Sequence, residues 1–211
     1  MNLEEIKSQI EVRVPGCRLE ILPNSSPSGQ HSLLVDGEHA FVVASFLRDG
    51  ASPHFDFCSN VTGIDWPLKD VSTKVKVKKL VDGVEKDVDE VVKSQTGGYL
   101  EVVYHLFSIE QREGPVVLRV RTEDRVERVH VPSLTPIWRS AEFQEREIFD
   151  LYGVLFDGHP DLRRLLMWEG FVDHPMRRDY VEPDDYEYEP TAHDEVLKRA
   201  QAHRPAAEGG L

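Results

Sequence analysis

Cysteine is scarce in this chain, which has only two among its 211 residues. Cys17 and Cys58 are too few and too far apart in the sequence to form an iron–sulfur cluster or a zinc site of their own. The simplest interpretation is that both are reduced thiols in the core of a cytosolic protein. If the chain belongs to a redox enzyme, we expect it to carry no redox centre.

Long apolar runs and net positive charge are also missing. No apolar segment approaches the roughly 18–20 residues that a membrane-spanning helix needs. The acidic N-terminus MNLEEIKSQIE lacks the apolar centre of a signal peptide. We therefore expect a soluble protein without a membrane span, which stays in the compartment where it is made. The formal net charge of −13 disfavours nucleic acid and anionic membrane surfaces as direct partners.

The sequence lacks the short motifs of several enzyme classes. It contains no phosphate-binding glycine loop, nucleophile elbow, H-E-x-x-H or C-x-x-C. Gly97-Gly98 precedes a predicted strand instead of joining a strand to a helix, so it is not a nucleotide-binding signature. We therefore predict no catalytic, cofactor-binding or metal-binding residue in this chain.

The residues that are present suffice for one domain and a tail. The patterns predict an α/β (α+β) fold for residues 1–155, with a single mixed sheet packed with helices, followed by an extended C-terminal segment. Leu3, Ile6 and Ile10 predict a first helix, and residues 38–49, with Phe41 on the buried side, predict a second. Strands are expected at residues 17–22, 31–35, 55–62, 99–110 and 116–123.

An inserted hairpin is predicted at about residues 68–96. This stretch alternates valine with charge around Asp82-Gly83, which is a hairpin signal. The basic arm KVKVKK is followed by the acidic arm VEKDVDEVV, and opposite charges favour cross-strand pairing. A lysine patch for nucleic acid is the weaker alternative, because the cluster is small and its charge is compensated nearby.

A short helix with clear ends is predicted within residues 135–153, TPIWRSAEFQEREIFDLYG. Thr135 is suited to cap the free amide groups, and Pro136 follows where a missing N–H costs nothing. Gly153 suits a left-handed C-terminal cap. Glu145 lies on the apolar stripe of this helix, where a carboxylate must be paired or neutralised.

Charged residues form a second line on the same helix. Glu142, Arg146 and Asp150 follow at four-residue steps as an acid–base–acid ladder. Such a ladder is usually a solvated face, but the apolar setting of Glu145 beside it favours a packed charge network. A general acid/base cluster of Glu145, Glu147 and Asp150 is the weaker alternative, because residues two apart on a helix point away from each other.

Two similar units follow the helix, His159-Pro160-Asp161-Leu162-Arg163-Arg164 and His174-Pro175-Met176-Arg177-Arg178. The planar fork of arginine suits bidentate contact with carboxylates. We therefore expect the paired arginines to hold a non-helical segment on acidic groups of this chain or of a neighbour. Each histidine is expected to act as a hydrogen-bonding wedge in a turn. A metal site with Asp157, Asp161 or Asp173 is the weaker alternative, because a proline follows each histidine and no helical i, i+4 ligand pair exists.

The end of the chain offers two candidate contacts with partners. Trp168 suits either the core or an aromatic anchor at an interface. Residues 181–211 form an acidic tail with too few aliphatic side chains to order itself. The tail is expected to be either flexible or docked on a partner.

These motifs carry a family resemblance. The run E-R-E-I-F-D-L-Y-G at 145–153, followed by G-H-P-D-L-R-R-L-L and D-H-P-M-R-R-D-Y, resembles the signature of the C subunit of proton-pumping NADH:quinone oxidoreductase, the complex I 30 kDa subunit family. Related membrane-bound hydrogenases and the chloroplast-type NDH complex carry similar domains. The match is dense over roughly the last third of the folded part of the chain. Upstream, only the predicted architecture is alike.

The positions that match the signature are expected to be structural or interface residues, and none is expected to be catalytic. They are Glu145, Arg146, Glu147, Asp150, Gly153, His159, Pro160, Asp161, Arg163, Arg164, His174, Pro175, Arg177, Arg178 and Tyr180.

The resemblance also implies a context. The chain would be a peripheral subunit on the cytoplasmic side of a bacterial inner membrane, with subunits D, B and I as neighbours and residues 156–180 as an extended interface segment. The complex would use NADH, FMN, iron–sulfur clusters and quinone, and this chain would bind none of them. Two alternatives are the equivalent subunit of a membrane-bound hydrogenase or formate hydrogenlyase, and a freestanding acidic protein-binding domain.

Overall fold

The computed structural model describes residues 2–81 and 84–181, and for residues 73–92 it describes the backbone alone. The predicted tail at 181–211 lies outside the described residues apart from Val181, and so does the predicted turn at Asp82-Gly83. The chain divides into two units. The first, Met1–Arg178, contains all the helices and strands given below, and the second begins at Asp179.

The elements follow one another in a mixed order of helices and strands. The helices are α1 (Leu3–Arg13), α2 (Gly37–Asp49) and α3 (Glu142–Tyr152). The strands are β1 (Leu19–Leu22), β2 (Ser32–Val35), β3 (Phe57–Trp66), β4 (Lys69–Val81), β5 (Val84–Thr96), β6 (Tyr99–Ser108), β7 (Glu113–Arg121), β8 (His130–Pro132) and β9 (Leu155–Asp157). In the described part of the chain, no helix has the length and apolar character needed to cross a membrane.

Five strands form the main sheet, in the order β1-β2-β7-β6-β3. The β2–β7 pair is parallel and the other pairs are antiparallel, so the sheet is mixed and the predicted fold class is confirmed. β3 extends past the predicted end at residue 62, because Gly63 and Asp65 continue its inward-facing positions.

One face of the main sheet carries the core. Leu33, Tyr104 and Leu118 lie opposite one another across three strands and pack with buried residues of all three helices. The other face carries Val103 and Val117, which are buried but do not belong to that core. Within the described residues, helices therefore cover the main sheet on one face only.

One residue of α2 differs from its predicted burial. Phe41 is 41% exposed, so its placement on the buried side is wrong. Ala40, Val43, Ala44 and Leu47 form the buried stripe. Phe41 lies about 100° round the helix from Ala40 and so falls at the margin of that stripe.

Two smaller sheets complete the fold. β4 and β5 pair along their whole length as a two-stranded antiparallel ribbon where the sequence predicts a hairpin. Their register places Lys76 opposite Asp89 and Lys78 opposite Asp87. β8 and β9 form a short parallel pair on either side of α3 in sequence, which fixes the loop that precedes α3.

Candidate functional site

The two His-Pro units lie on one stretch without helix or strand, residues 159–178, which we call the docked segment. Its contacts follow α3 from one end to the other. They begin at Glu142 and finish at Tyr152. α3 therefore acts as the support for this segment.

α3 begins later than predicted. Thr135 does not cap it, because the backbone of Trp138 is extended (φ −122°, ψ 105°) and the α-helix starts only at Glu142, after a 3-10 turn. The hydroxyl of Thr135 bonds instead to Glu145. The predicted C-terminal end is correct, since Gly153 is left-handed with φ 77°.

Glu145 is fully buried, as its place on the apolar stripe predicts. Its carboxyl oxygens accept hydrogen bonds from the hydroxyls of Tyr104 (3.0 Å), Ser133 (2.5 Å) and Thr135 (2.9 Å), and from the N–H of Leu134 (2.8 Å). Among the described residues, no basic side chain bonds to it. The prediction of a charge network is therefore wrong for Glu145, because neutral donors satisfy the buried carboxyl.

Burial has a direct electrostatic effect on Glu145. Desolvation raises the pKa of its carboxyl, and the four hydrogen bonds oppose this rise without cancelling it. The group thus connects β6 and the loop before α3 to the helix itself. Its role is to hold these elements together.

Arg146 has other partners than the predicted ladder. It is 5% exposed and donates to the carbonyl oxygens of Arg163 and Arg164, both at 3.2 Å. Glu142 and Asp150 bond to other donors, so the acid–base–acid ladder is wrong. The main-chain carbonyls of a non-helical segment are unpaired acceptors, and the long arginine side chain reaches them across the helix surface.

Asp150 is the central contact of the docked segment. Its fully buried carboxylate accepts the N–H groups of Leu165 (3.0 Å), Leu166 (2.6 Å) and Met167 (2.8 Å) in succession. Arg164 donates to the other oxygen at 2.7 Å. Burial alone would raise the pKa of Asp150, but these hydrogen bonds outweigh burial and hold the pKa below its usual range.

The two histidines bond to main-chain carbonyls at opposite parts of α3. The Nε2 of His159 lies 3.0 Å from the carbonyl oxygen of Glu142. The Nδ1 of His174 lies 3.0 Å from that of Asp150. Since a carbonyl only accepts, each ring nitrogen donates, and this matches the role of a hydrogen-bonding wedge. Burial lowers the pKa of His174, and the neutral ring is sufficient for the contact.

The end of the docked segment is fixed in part by Asp65, a residue that the sequence patterns do not single out. Arg177 donates to the carbonyl oxygen of Tyr152 at 2.6 Å, and the N–H of Arg178 donates to Asp65 at 2.7 Å. Asp65 is buried and accepts a two-pronged contact from Arg125. The signal would be a carboxylate at an inward-facing strand position, but the strand predicted at 55–62 ends before Asp65.

The other signature positions lie at the surface or outside the first unit. Glu147 is exposed, and the exposed Arg163 pairs with Asp161 at 2.9 Å. Pro160 is exposed and Pro175 is half-buried. Tyr180 belongs to the second unit.

The contacts with α3 leave apolar side chains of the docked segment in solvent. Trp168 is 48% exposed and rests edge-on against the buried ring of Phe171, with 4.8 Å between ring centroids. The further exposed apolar residues are Leu165, Leu166, Val172 and Met176. We call these four residues and Trp168 the apolar rim. Exposed apolar side chains on a fixed backbone are typical of a protein-interaction surface.

Neither histidine of the docked segment lies in a cluster that could hold a metal. Within the described ranges, such clusters are Asp36 with Glu38 and His39, and His54 with Asp56 and Glu110. In both clusters the histidine bonds to a carboxylate of the same cluster, and Asp36 and Asp56 also accept backbone N–H groups. Nothing in the geometry favours the metal-site alternative for His159 and His174.

Known proteins resemble this chain in both sequence and fold. It is 34% identical over 184 residues to the C subunit of the NADH-quinone oxidoreductase of Coxiella burnetii (strain Dugway 5J108-111), covering 84% of this chain and 74% of that protein. It is 37% identical over 147 residues to the C/D subunit of the NADH-quinone oxidoreductase of Bacteroides thetaiotaomicron, covering 67% of this chain and 24% of that protein.

A solved structure shows the same fold. It is that of the membrane-bound sulfane sulfur reductase (MBS), an archaeal respiratory membrane complex, of which one chain matches with a TM-score of 0.50 and 19% identity. The match covers 99% of this chain and 98% of that chain.

The family described as respiratory-chain NADH dehydrogenase, 30 Kd subunit, matches residues 33–186, which include the main sheet from Leu33 of β2 onward, α3 and the docked segment. Together with the identity to a curated C subunit of NADH-quinone oxidoreductase over most of the chain, this match shows that the protein belongs to the 30 Kd subunit family of respiratory-chain NADH dehydrogenase.

Proposed function

We propose that this chain is a non-catalytic subunit of the peripheral arm of a proton-pumping NADH:quinone oxidoreductase. Its role is to hold the quinone-site and iron–sulfur subunits in register while electrons pass from NADH to quinone. The observation that carries this proposal is the docked segment, whose backbone is fixed on α3 while the apolar rim remains exposed.

The chemistry of the contacts supports a structural role. Glu145 and Asp150 are the buried carboxylates of α3, and all their hydrogen-bonding partners named above belong to this chain. A catalytic acid or base needs access to a substrate proton. Both groups are 0% exposed, so they serve the fold.

The proposed neighbours are subunits D, B and I of the complex. Support for the first of these comes from the Bacteroides relative, whose name joins the C and D subunits in one protein. The proposed place is the cytoplasmic side of the bacterial inner membrane, as a peripheral part of the complex. FMN, iron–sulfur clusters and quinone are assigned to the neighbours, and NADH binds there also.

A substitution in the apolar rim tests the proposal. The double variant Leu166→Ser/Trp168→Ser removes exposed apolar groups and leaves the backbone contacts with Asp150 intact. We expect less assembled complex per membrane, a nearly normal turnover per assembled complex, and a melting temperature of the isolated chain that falls only by the loss of the Trp168–Phe171 contact.

The control is Val12→Ser on α1, a site with 82% exposure far from the docked segment in sequence. It should leave assembly unchanged. Full assembly of the rim variant with a collapsed rate per complex would contradict the scaffold role and point to catalysis.

The equivalent subunit of another membrane-bound redox complex is the second candidate. It is favoured by the fold that this chain shares with a chain of the archaeal MBS complex. Co-purification from native membranes separates the two candidates, because a nickel-site large subunit among the partners would identify a hydrogenase-type complex.

A further inference from the structure

One face of the main sheet, which no helix of the described residues covers, has an ordered polar centre. Glu101 on β6 is completely buried there and accepts hydrogen bonds from Arg119 (2.8 Å), Arg121 (2.8 Å) and the indole N–H of Trp66 (3.0 Å). The guanidinium of Arg121 also lies 4.6 Å from the centre of the Tyr99 ring. We call these five residues the arginine–tryptophan cluster.

The cluster presents positive charge to solvent. Two guanidinium groups share one carboxylate, and that carboxylate is covered while the side chains of Arg119 and Arg121 are 25% and 31% exposed. The Nε of Arg119 is buried and has no hydrogen-bond partner. The acidic residue Glu20 lies on the same face, but at the edge of the sheet, on β1. The exposed parts of Arg119 and Arg121 are therefore the groups of the cluster that an acceptor from outside the chain can reach.

Apolar residues surround this centre. Val103 and Val117 are 3% and 4% exposed and form the floor beside Arg119. Trp66 is 40% exposed at the margin of the sheet. Arginine, tryptophan and tyrosine are the residue types that dominate the energetics of protein interfaces. Because Glu101 already fixes three of these side chains, binding would cost little side-chain entropy.

A plain solvated sheet face is the ordinary alternative for an antiparallel arrangement. Such a face carries isolated polar side chains that water can satisfy. The buried valines, the buried Glu101 and the unpaired Nε of Arg119 differ from that pattern.

We propose that the helix-free face of the sheet binds an acidic segment of a neighbouring subunit, with a carboxylate on Arg119 and an apolar side chain against Trp66. The charge of the cluster selects the carboxylate, and the exposed ring of Trp66 selects the apolar part. This site is distinct from the apolar rim and rests on the proposed function, because it needs a complex in which the neighbour is present.

Cysteine labelling of this face in the assembled complex is the first test. Thr62 is exposed on β3 and lies opposite Val103 in the register, so Thr62→Cys places a reactive thiol on the helix-free face. Val12→Cys on α1 is the control, and the parent chain gives the background of Cys17 and Cys58. We expect a maleimide to label both introduced thiols in the isolated chain and only the thiol at position 12 in the complex.

The outcomes separate this inference from the proposed function. If the tagged chain brings down no partner subunits, the proposed function fails. If partners co-purify and the thiol at position 62 is labelled as fast as in the isolated chain, the helix-free face is free and the inference is wrong.

A charge variant then tests the carboxylate. Arg119→Gln should speed dissociation of the chain from the complex by about tenfold or more, since loss of one partner of a buried charge pair acts mainly on the dissociation rate. Arg139→Gln is the matched control, because Arg139 is an exposed arginine whose side chain pairs with Glu142. Arg119→Lys keeps the charge and should be intermediate.

Three results would oppose the proposal at this step. One is equal dissociation rates for the Arg119 and Arg139 variants at low and high salt. Another is an equal loss of stability in Arg119→Gln and Arg119→Lys while the labelling pattern of both variants stays normal. The third is competition by inorganic phosphate with no protection at position 62, which would show a site for small anions only.

Discussion

At the scale of single residues, two buried carboxylates on α3 behave in opposite ways. Glu145 meets neutral donors, and burial raises its pKa. Asp150 meets three N–H groups and an arginine, and its pKa is lowered despite burial. One helix thus carries one carboxyl that favours its neutral form and one that favours its charged form.

Replacing Glu145 tests its role as a connector. Glu145→Gln keeps the shape of the side chain and one oxygen that can accept two hydrogen bonds. Its amide nitrogen donates instead of accepting, and hydroxyl groups such as that of Ser133 can rotate to accept from it. We expect it to lower the free energy of unfolding by less than about 1 kcal/mol, and Glu145→Ala by about 3 kcal/mol, because the alanine leaves buried donors unpaired and a cavity. Urea unfolding of the isolated chain measures both; equal losses would contradict the connector role.

The pH dependence of the same variants gives a second readout. The folded pKa of Glu145 lies above its ordinary value of 4.5, so the unfolded state releases its proton first as pH rises. The contribution of Glu145 to stability therefore falls between the unfolded and the folded pKa. The stability of Glu145→Gln should not fall in this pH range. If its stability depends on pH in the same way as that of the parent chain, Glu145 does not titrate there.

Asp150→Asn should release the docked segment. The change removes the negative charge that accepts hydrogen bonds from four donors. The loss of one partner of a buried ion pair costs about 3–5 kcal/mol. Because its folded pKa is lowered, the contribution of Asp150 is complete above the ordinary value of 3.8 and is lost as pH falls through the folded pKa. The measurement is hydrogen exchange at the N–H groups of Leu165 and Leu166.

The matched control for Asp150 is Glu147→Gln, an exposed carboxylate on the same helix. It should change stability by no more than about 0.5 kcal/mol. If the N–H groups of Leu165 and Leu166 are as protected from exchange in Asp150→Asn as in the control, Asp150 does not have this central role.

The sequence predicts the burial of these side chains better than their partners. The helical period places Glu145 on the apolar stripe without any knowledge of the fold. Its donors come from β6 and from the loop at 133–135, and only the tertiary fold brings Tyr104 to it. The partners of Arg146 were predicted wrongly for the same reason, because four-residue spacing reports neighbours on the helix and not carbonyls of a later segment.

At the scale of elements, α3 and the docked segment meet most closely at Gly153. A β-carbon at this position would overlap the ring of His174 and lie 2.8 Å from the guanidinium of Arg177. The end of the helix and the second His-Pro unit thus depend on one left-handed glycine. This explains why the helix can end and the returning segment can pack in the same place.

Gly153→Ala should detach the second His-Pro unit. The left-handed backbone costs an alanine about 1–2 kcal/mol, and the overlap with His174 adds to that cost. Gly158→Ala is the matched control, since Gly158 has φ 81° but open space around its position. Tryptic cleavage after Arg177 should be faster in Gly153→Ala than in the control; equal rates in the two variants would mean that the contact does not hold the segment.

The ends of elements were the part of the architecture that the sequence predicted least well. The start of α3 was placed at Thr135 because Thr-Pro is a good helix start. The hydroxyl of Thr135 donates to the buried carboxyl of Glu145 instead of capping the helix, so the residues before Glu142 are not part of the α-helix. The left-handed Gly153 was predictable, since its conformation is a local property of the chain.

At the scale of the whole molecule, the sign of the local charge differs from that of the net charge at two surfaces. Its net charge is −13, yet arginines fix the docked segment on one surface and form the positive centre on the sheet. The two surfaces suit neighbours of different chemistry, one apolar and one acidic. A subunit that holds several partners needs such distinct surfaces.

The proposed division of labour predicts a colourless protein. Cys17 and Cys58 are both free thiols, and burial raises the pKa of Cys58 to about 12, which makes it a poor metal ligand. The isolated chain should show no visible absorbance and no stoichiometric iron or flavin after reconstitution. Metal analysis and an absorption spectrum check this, with a reconstituted iron–sulfur subunit as the positive control; bound iron at one equivalent would refute the prediction.

The manner in which α3 holds the docked segment has a consequence for variation among related proteins. Arg146 bonds to the main-chain carbonyls of Arg163 and Arg164, and Asp150 bonds to the main-chain N–H groups of residues 165–167, so the support recognises the backbone and not the identity of residues 165–167. Substitutions there alter what the surface recognises and spare what keeps it in place. A lineage can therefore exchange its partner preference one side chain at a time, with the framework inherited unchanged.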